Sequence, residues 1–286
     1  MVCKRRFYTS SMSMKKLLPP KEWRGIITKY LEELKASGLT IETIETRRRK
    51  ISHLARLLGI PPLEVTADDL IHTFAKQEWN NETLRGYATT ARSFWTYLED
   101  KELTQDIAIE IPHVKVPHGV PHPIPEEALI NAYKTAGKQE LYMLRLGAEC
   151  GLRRNEIAQV HSHDVIDDYI GKSLIIHGKG GKERIVPIAD DLATDITNAG
   201  GYMFPGRWTG HVEASYIGKH VSKALNHKYS CHSLRHRFAT RTYEQTNDLF
   251  LVSKLLGHES VVTTQIYVAM PQQRLRAAVE AVRLHV

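Results

Sequence analysis

Apolar residues in the first third of the chain recur every three or four positions, the period of a helix with one buried face. Trp23, Ile27, Tyr30, Leu31 and Leu34 predict a first helix that follows Pro19-Pro20 and stops at Ser37-Gly38. Ile44, Ile51, Leu54 and Leu57/Leu58 predict a second, capped by Thr40 and closed by Gly59 and Pro61-Pro62. A third is expected to start near Thr66, with Asp68 and Asp69 in the first turn, where the helix dipole favours acids. The fourth covers about 82–98 and turns Tyr87, Ala91, Phe94 and Leu98 inward. Residues 20–110 therefore predict a small four-helix domain.

The period is lost over 111–125, which holds five of the twelve prolines together with His113, His118 and His122. Such a stretch reads as an extended linker, and its histidines lack the fixed helical or turn spacing of a metal site. Beyond it, helices are expected at 126–135 and 139–150. Short β-branched runs at 173–176 and 184–188 flank Gly178-Lys179-Gly180-Gly181 and predict a β-hairpin. Helices resume near Ala214, so 126–270 reads as a second, mixed domain. After Pro271, Leu275, Val279 and Val282 return at helical spacing and predict a terminal helix over 271–286. Residues 1–19 are basic and Ser-rich and are expected to be disordered. The fold class is mainly α with a small β-sheet.

The formal charge of +7 favours a polyanionic partner, and both halves of the chain share the excess. Arg47, Arg48, Arg49 and Lys50 form a dense basic turn on the second helix, read as phosphate contacts against the alternative of a solvated helix face. Cys3, Cys150 and Cys231 are odd in number, far apart and without C-x-x-C spacing, which points to a reducing, cytoplasmic setting. No apolar run reaches membrane-spanning length, and residues 1–16 lack the apolar core of a signal peptide, so no membrane partner is expected.

Four segments carry candidate chemistry. In Gly151-Leu152-Arg153-Arg154-Asn155-Glu156-Ile157, Arg153 and Glu156 stand three apart, so the acid can fix the guanidinium; a surface helix start with scattered charge is the plain alternative. In His232-Ser233-Leu234-Arg235-His236, behind a Ser230 cap, two imidazoles and a guanidinium share one side of a helix near its positive end. His236 fits a hydrogen-bonded core residue better than a reactive one. Gly257 reads as a helix stop and Ser260 as the next cap, placing His258 at the joint, while Tyr267 alone would be an ordinary core or interface aromatic. The glycine-rich turn at 178–184 lacks the G-x-x-x-x-G-K-[ST] order and precedes a strand, which excludes a nucleotide-binding P-loop.

Taken together and in order, Arg153 in G-L-R-x-x-E, His232 and Arg235 in H-x-L-R-H, His258 in L-L-G-H and Tyr267 in T-T-x-x-Y resemble the signature of tyrosine recombinases and phage integrases. Gly178-Lys179-Gly180-Gly181-Lys182-Glu183-Arg184 looks like the family's lysine-bearing strand-turn-strand, and the upstream helical unit is similar to its core-binding domain. The likeness spans about residues 20–286.

The resemblance implies an enzyme of site-specific DNA recombination, acting through a 3′-phosphotyrosyl intermediate with Tyr267 as nucleophile. Arg153 and Arg235 would clamp the scissile phosphate, and Lys179, rather than Lys182, would protonate the leaving 5′ oxygen. His232 takes the acid/base role near Tyr267, His258 hydrogen bonds the phosphate, and Glu156 and His236 support them. No cofactor and no metal are expected. Double-stranded DNA core sites are the implied partners, with a homotetramer on two paired sites, an accessory bending or directionality factor, and 271–286 passed to a neighbouring protomer. A phage or mobile element is the leading setting, with chromosome-dimer resolution open. The competing readings are a DNA-binding regulator that does not cut and a type IB topoisomerase.

Overall fold

The computed structural model describes residues 18–115, 122–178 and 181–258. Lys179, Ser260, Tyr267, residues 1–17 of the expected N-terminal segment 1–19 and the expected terminal helix 271–286 lie outside the described residues. The chain divides into two compact units, 1–117 and 118–286. Among the described residues no helix is long and apolar enough to cross a membrane.

The first unit contains α1 (Lys21–Ala36), α2 (Ile41–Leu58), α3 (Ala67–Ala75), α4 (Asn81–Asp100) and a 3-10 turn, Ile107–Glu110. The starts follow from capping: Thr40 Oγ1 accepts from Thr43 N, and Thr66 and Asp69 bond reciprocally in a capping box. Gly59 closes α2 at φ +67°, a conformation that favours glycine. The core is aromatic. Trp23 stacks on Phe94 with ring centroids 5.6 Å apart, Trp95 meets Trp23 edge-on, and Trp23 Nε1 donates to Ile60 O at 2.8 Å. Ile111, at the start of the predicted linker, is buried in this core, and Arg92 donates to its carbonyl at 2.8 Å.

The second unit begins with α5 (Glu126–Thr135), α6 (Lys138–Ala148) and α7 (Arg154–Gln159). An antiparallel sheet follows in the order β1 (Val165–Asp167), β2 (Lys172–His177), β3 (Glu183–Ile188). Then come α8 (Asp190–Asn198), the short pair β4 (Pro205–Gly206) and β5 (Gly210–His211), α9 (Ala214–Ala224), α10 (Cys231–Thr246) and α11 (Leu249–Leu256). The predicted hairpin is present with one more residue on β2 at each end and one more at the start of β3. The structure adds β1, α8 and the β4–β5 pair, which the periodicity did not predict.

The helix expected at 139–150 ends earlier, at Ala148, because Gly151 turns left-handed at φ +66° and Leu152 N bonds back to Leu146 O at 3.1 Å. Leu174, Ile176 and Val186 point from the sheet into a core shared with Leu144, Leu146, Ile217, Val221 and Leu234. At Gly147 a Cβ would lie 2.8 Å from Leu234 Cδ1, so a residue without a side chain lets α6 and α10 approach closely. Ile124, at the far end of the predicted linker, is buried here, its N donating to Ser233 O at 3.3 Å.

Candidate active site

Three chain segments converge on one buried carboxylate. Arg153 sits at the N-cap of α7 rather than inside the helix, and Glu156, three residues on, reaches back to accept Arg153 N at 2.8 Å and Arg153 Nη1 at 2.8 Å. Glu156 is thereby both a capping acid and the partner of the guanidinium expected from the sequence. Its side chain is 4 % exposed, whereas that of Arg153 is 41 % exposed and reaches the surface.

Arg235 is held by α10. The Ser230 side chain caps this helix by accepting His232 N at 3.2 Å, which fixes where the first turn begins and so which face carries Arg235. The Arg235 side chain is 1 % exposed. It donates to Gly151 O at 2.6 Å, to Leu256 O at 2.7 Å and to His258 Nε2 at 2.9 Å, with Glu156 Oε2 3.9 Å from Nη1. Gly151 can present that carbonyl because it is left-handed and because a Cβ there would meet Phe238 Cδ1 at 2.4 Å.

His258 stands just past α11, where the helix ends in a Schellman motif. Gly257, at φ +65°, donates to Lys254 O at 3.1 Å and His258 N donates to Ser253 O at 3.0 Å. This joint, expected from the Gly257-His258 pair, delivers the imidazole to Arg235. A guanidinium can only donate, so Nε2 is the acceptor and the proton of the neutral ring is on Nδ1.

The electrostatics agree with a neutral ring. Partial burial, then the charges of Arg235, Arg153 and Arg184, push His258 down to about 3 despite the opposing Glu156. His232 packs edge-on against His236, ring centroids 4.5 Å apart, and the protein around its ring, then Arg235 and Arg153, hold it below the ordinary imidazole range. His236 is buried, as its core reading expected. For Glu156, burial acts to raise the pKa, but hydrogen bonds and charge from Arg184 and Arg153 outweigh it and hold the carboxyl below its usual range.

Arg184 is the member of this cluster that the sequence reading passed over. On β3 it pairs across from Ile176 and shares the inward face of Val186, so the strand's two-residue period drives its guanidinium inside. It grips both oxygens of Glu156, at 3.0 and 2.7 Å, and donates Nε to Leu255 O at 2.8 Å. The parity of the strand was the available signal. It was masked because Ile185 and Pro187, at the outward positions, are apolar as well.

The basic turn of α2 does not gather on one face. Arg47 donates to Tyr30 OH at 3.3 Å, Arg48 pairs with Glu45, Arg49 bonds Glu45 O at 3.4 Å, and Lys50 lies over the Tyr87 ring at 5.6 Å. Successive helical residues step by about 100°, so these side chains fan around the helix. Arg49 is exposed as a whole residue, and the Arg48 side chain is 43 % exposed but held in its pair with Glu45.

Comparison with known proteins agrees with this geometry. The model of the phage integrase family matches residues 125–274, more than half of the chain. The chain is 27% identical over 235 residues to the tyrosine recombinase XerA of Pyrococcus furiosus, covering 77% of this chain and 82% of that one. It is 28% identical over 277 residues to the tyrosine recombinase XerC of Chromobacterium violaceum, covering 87% and 91%. The fold is shared with a lambda integrase dimer bound to a COC' core site, at TM-score 0.71 and 14% identity, over 92% of this chain and 81% of that one. The chain belongs to the phage integrase family, the tyrosine-type site-specific DNA recombinases.

Proposed function

We propose that Tyr267 breaks a DNA strand by in-line attack on one phosphodiester, with Arg153 and Arg235 holding the non-bridging oxygens. The observation that carries this reading is the convergence of both guanidiniums on Glu156 with His258 attached to Arg235. Charge on the phosphoryl oxygens grows in the transition state, and fixed donors stabilise it without reorganising. Removing one such donor costs about 3 kcal/mol in the barrier, roughly a hundredfold in rate.

In the cleavage step the Tyr267 oxygen bonds to phosphorus, the bond from phosphorus to O5′ breaks, and a 3′-phosphotyrosine and a free 5′ hydroxyl result. The phenol, with an ordinary pKa near 10, gives its proton to His232, which the depressed pKa keeps neutral and able to accept. Lys179 supplies the proton to O5′. His258, protonated on Nδ1 and fixed through Nε2, donates to the phosphate. A 5′ hydroxyl from a partner strand then reverses the attack, so strand exchange needs no nucleotide.

The DNA would lie against both units, with Arg49 and its neighbours on α2 touching backbone phosphates. Four protomers on two paired sites would make the active assembly, with 271–286 exchanged between them, in the service of a phage or mobile element. The test uses a DNA duplex selected by binding from a randomised pool and nicked so that the cleaved 5′ fragment diffuses away. A covalent adduct on a denaturing gel is expected for the native chain and none for Tyr267→Phe. An adduct retained by Tyr267→Phe removes this tyrosine from the mechanism. A requirement for two DNA sites in the product separates recombination from topoisomerase-like relaxation.

A further inference from the structure

We infer that Arg184 is a positioning residue for strand cleavage: by gripping both oxygens of Glu156 it limits the acid's hold on the Arg153 guanidinium to one bond and leaves Arg235 3.9 Å away, so that both can turn toward the scissile phosphate. The inference rests on the recombinase reading above and assigns a role to a residue outside the proposed catalytic set.

Three guanidiniums face one carboxylate in this cluster. Glu156 is almost fully buried and ionised, so it must be paired. Arg184 satisfies it in the strongest available form, two parallel charge-assisted bonds at 3.0 and 2.7 Å. The Arg153 guanidinium reaches the carboxylate with Nη1, beside the bond from its own backbone N, and Arg235 stays 3.9 Å away, bonded instead to carbonyls and to His258. Geometry therefore ranks the three, and the guanidinium that grips both oxygens is the one anchored on the sheet.

Arg184 is itself held on two sides. Its side chain is 9 % exposed, its Nε is spent on Leu255 O, and Gly257 leaves it room, since a Cβ there would lie 2.8 Å from Arg184 Cδ. It thus ties three things together: the strand that follows the Gly178–Lys182 connection, the acid at the start of α7, and the end of α11 that carries His258. Without it, the Glu156 carboxylate would turn its full charge on Arg153 and Arg235, competing with the DNA phosphate for the same donors.

The test is a comparison of Arg184→Met, Arg184→Lys and the double variant Arg184→Met with Glu156→Gln, each checked for native unfolding behaviour and for affinity to the selected nicked duplex. Single-turnover adduct formation by Arg184→Met is expected to fall about a hundredfold, with DNA affinity changed by less than about threefold. Removing the acid's charge in the double variant is expected to recover about tenfold or more of that rate. Arg184→Lys, a point charge that cannot grip both oxygens, is expected to fall between native and Arg184→Met.

A double variant no faster than Arg184→Met overturns the inference, because a scaffold role alone gives no rescue on removing a second partner. So does an Arg184→Met rate equal to the native one. A native chain that forms no adduct sinks the recombinase reading, and the inference with it.

Discussion

Nη2 of Arg235 donates to Nε2 of His258 at 2.9 Å, joining two residues 23 positions apart through a bond that only a neutral imidazole can accept. Protonating His258 breaks this bond and sets a cation against a buried guanidinium. The folded-state pKa of about 3 lies below the ordinary imidazole value near 6.5.

The sign of the resulting pH effect follows from linkage. Between the two pKa values the unfolded chain binds the proton and the folded one does not, so stability falls as pH drops from about 6.5 toward 3. His232, also depressed, adds to the trend. Unfolding of the second unit is expected at a lower temperature at acid pH, and His258→Gln is expected to flatten that dependence. An unchanged acid slope in His258→Gln would show that other groups cause it.

Arg235 is expected to matter to the fold as well as to the chemistry. Its guanidinium donates to Gly151 O and Leu256 O from a side chain that is 1 % exposed. Arg235→Met should leave these carbonyls without that donor and lower stability by about 3 kcal/mol, read as a shift in the urea midpoint of the second unit. Arg153→Met, whose side chain is 41 % exposed, should cost less than about 1 kcal/mol while also slowing adduct formation about a hundredfold. Equal losses in the two variants would contradict the division between a buried and an accessible arginine.

Gly151 presents its carbonyl to Arg235 from a left-handed backbone under the Phe238 ring. Gly151→Ala adds a methyl where the backbone disfavours it, about 1 kcal/mol or more, and where Phe238 must move. A total loss of about 2–4 kcal/mol is expected, together with slower cleavage, because the Arg235 anchor shifts. Native stability and rate would place the tension elsewhere.

The helices of the first unit were legible because each signal was local: Thr40 and Thr66 cap where their side chains can reach the third residue on, and Gly59 stops α2 with a left-handed turn. The candidate site was legible for the same reason, since Arg153 with Glu156, and Gly257 with His258, are set by three-residue geometry. What stayed hidden depends on distant partners. Arg184 acquires its meaning from an acid 28 positions away, and β1 exists only through its register with β2, Ile166 opposite Ser173. The four basic residues of α2 read as one patch in a string of letters, yet rotation about the axis separates them.

That separation makes the last expectation specific. A backbone phosphate neutralised by one side chain contributes about one unit to the slope of log affinity against log salt. Arg49, exposed and bonded only weakly within its own helix, is expected to lower that slope by about one when changed to alanine. Lys50 lies over the Tyr87 ring, with its Nζ where a side chain on Gly86 would sit, so Lys50→Ala should act chiefly on the stability of the first unit and leave the salt slope nearly unchanged. Titration of the selected duplex at several salt concentrations distinguishes the two. If Lys50→Ala moves the slope as far as Arg49→Ala, the ammonium leaves its ring on binding and the whole turn meets DNA.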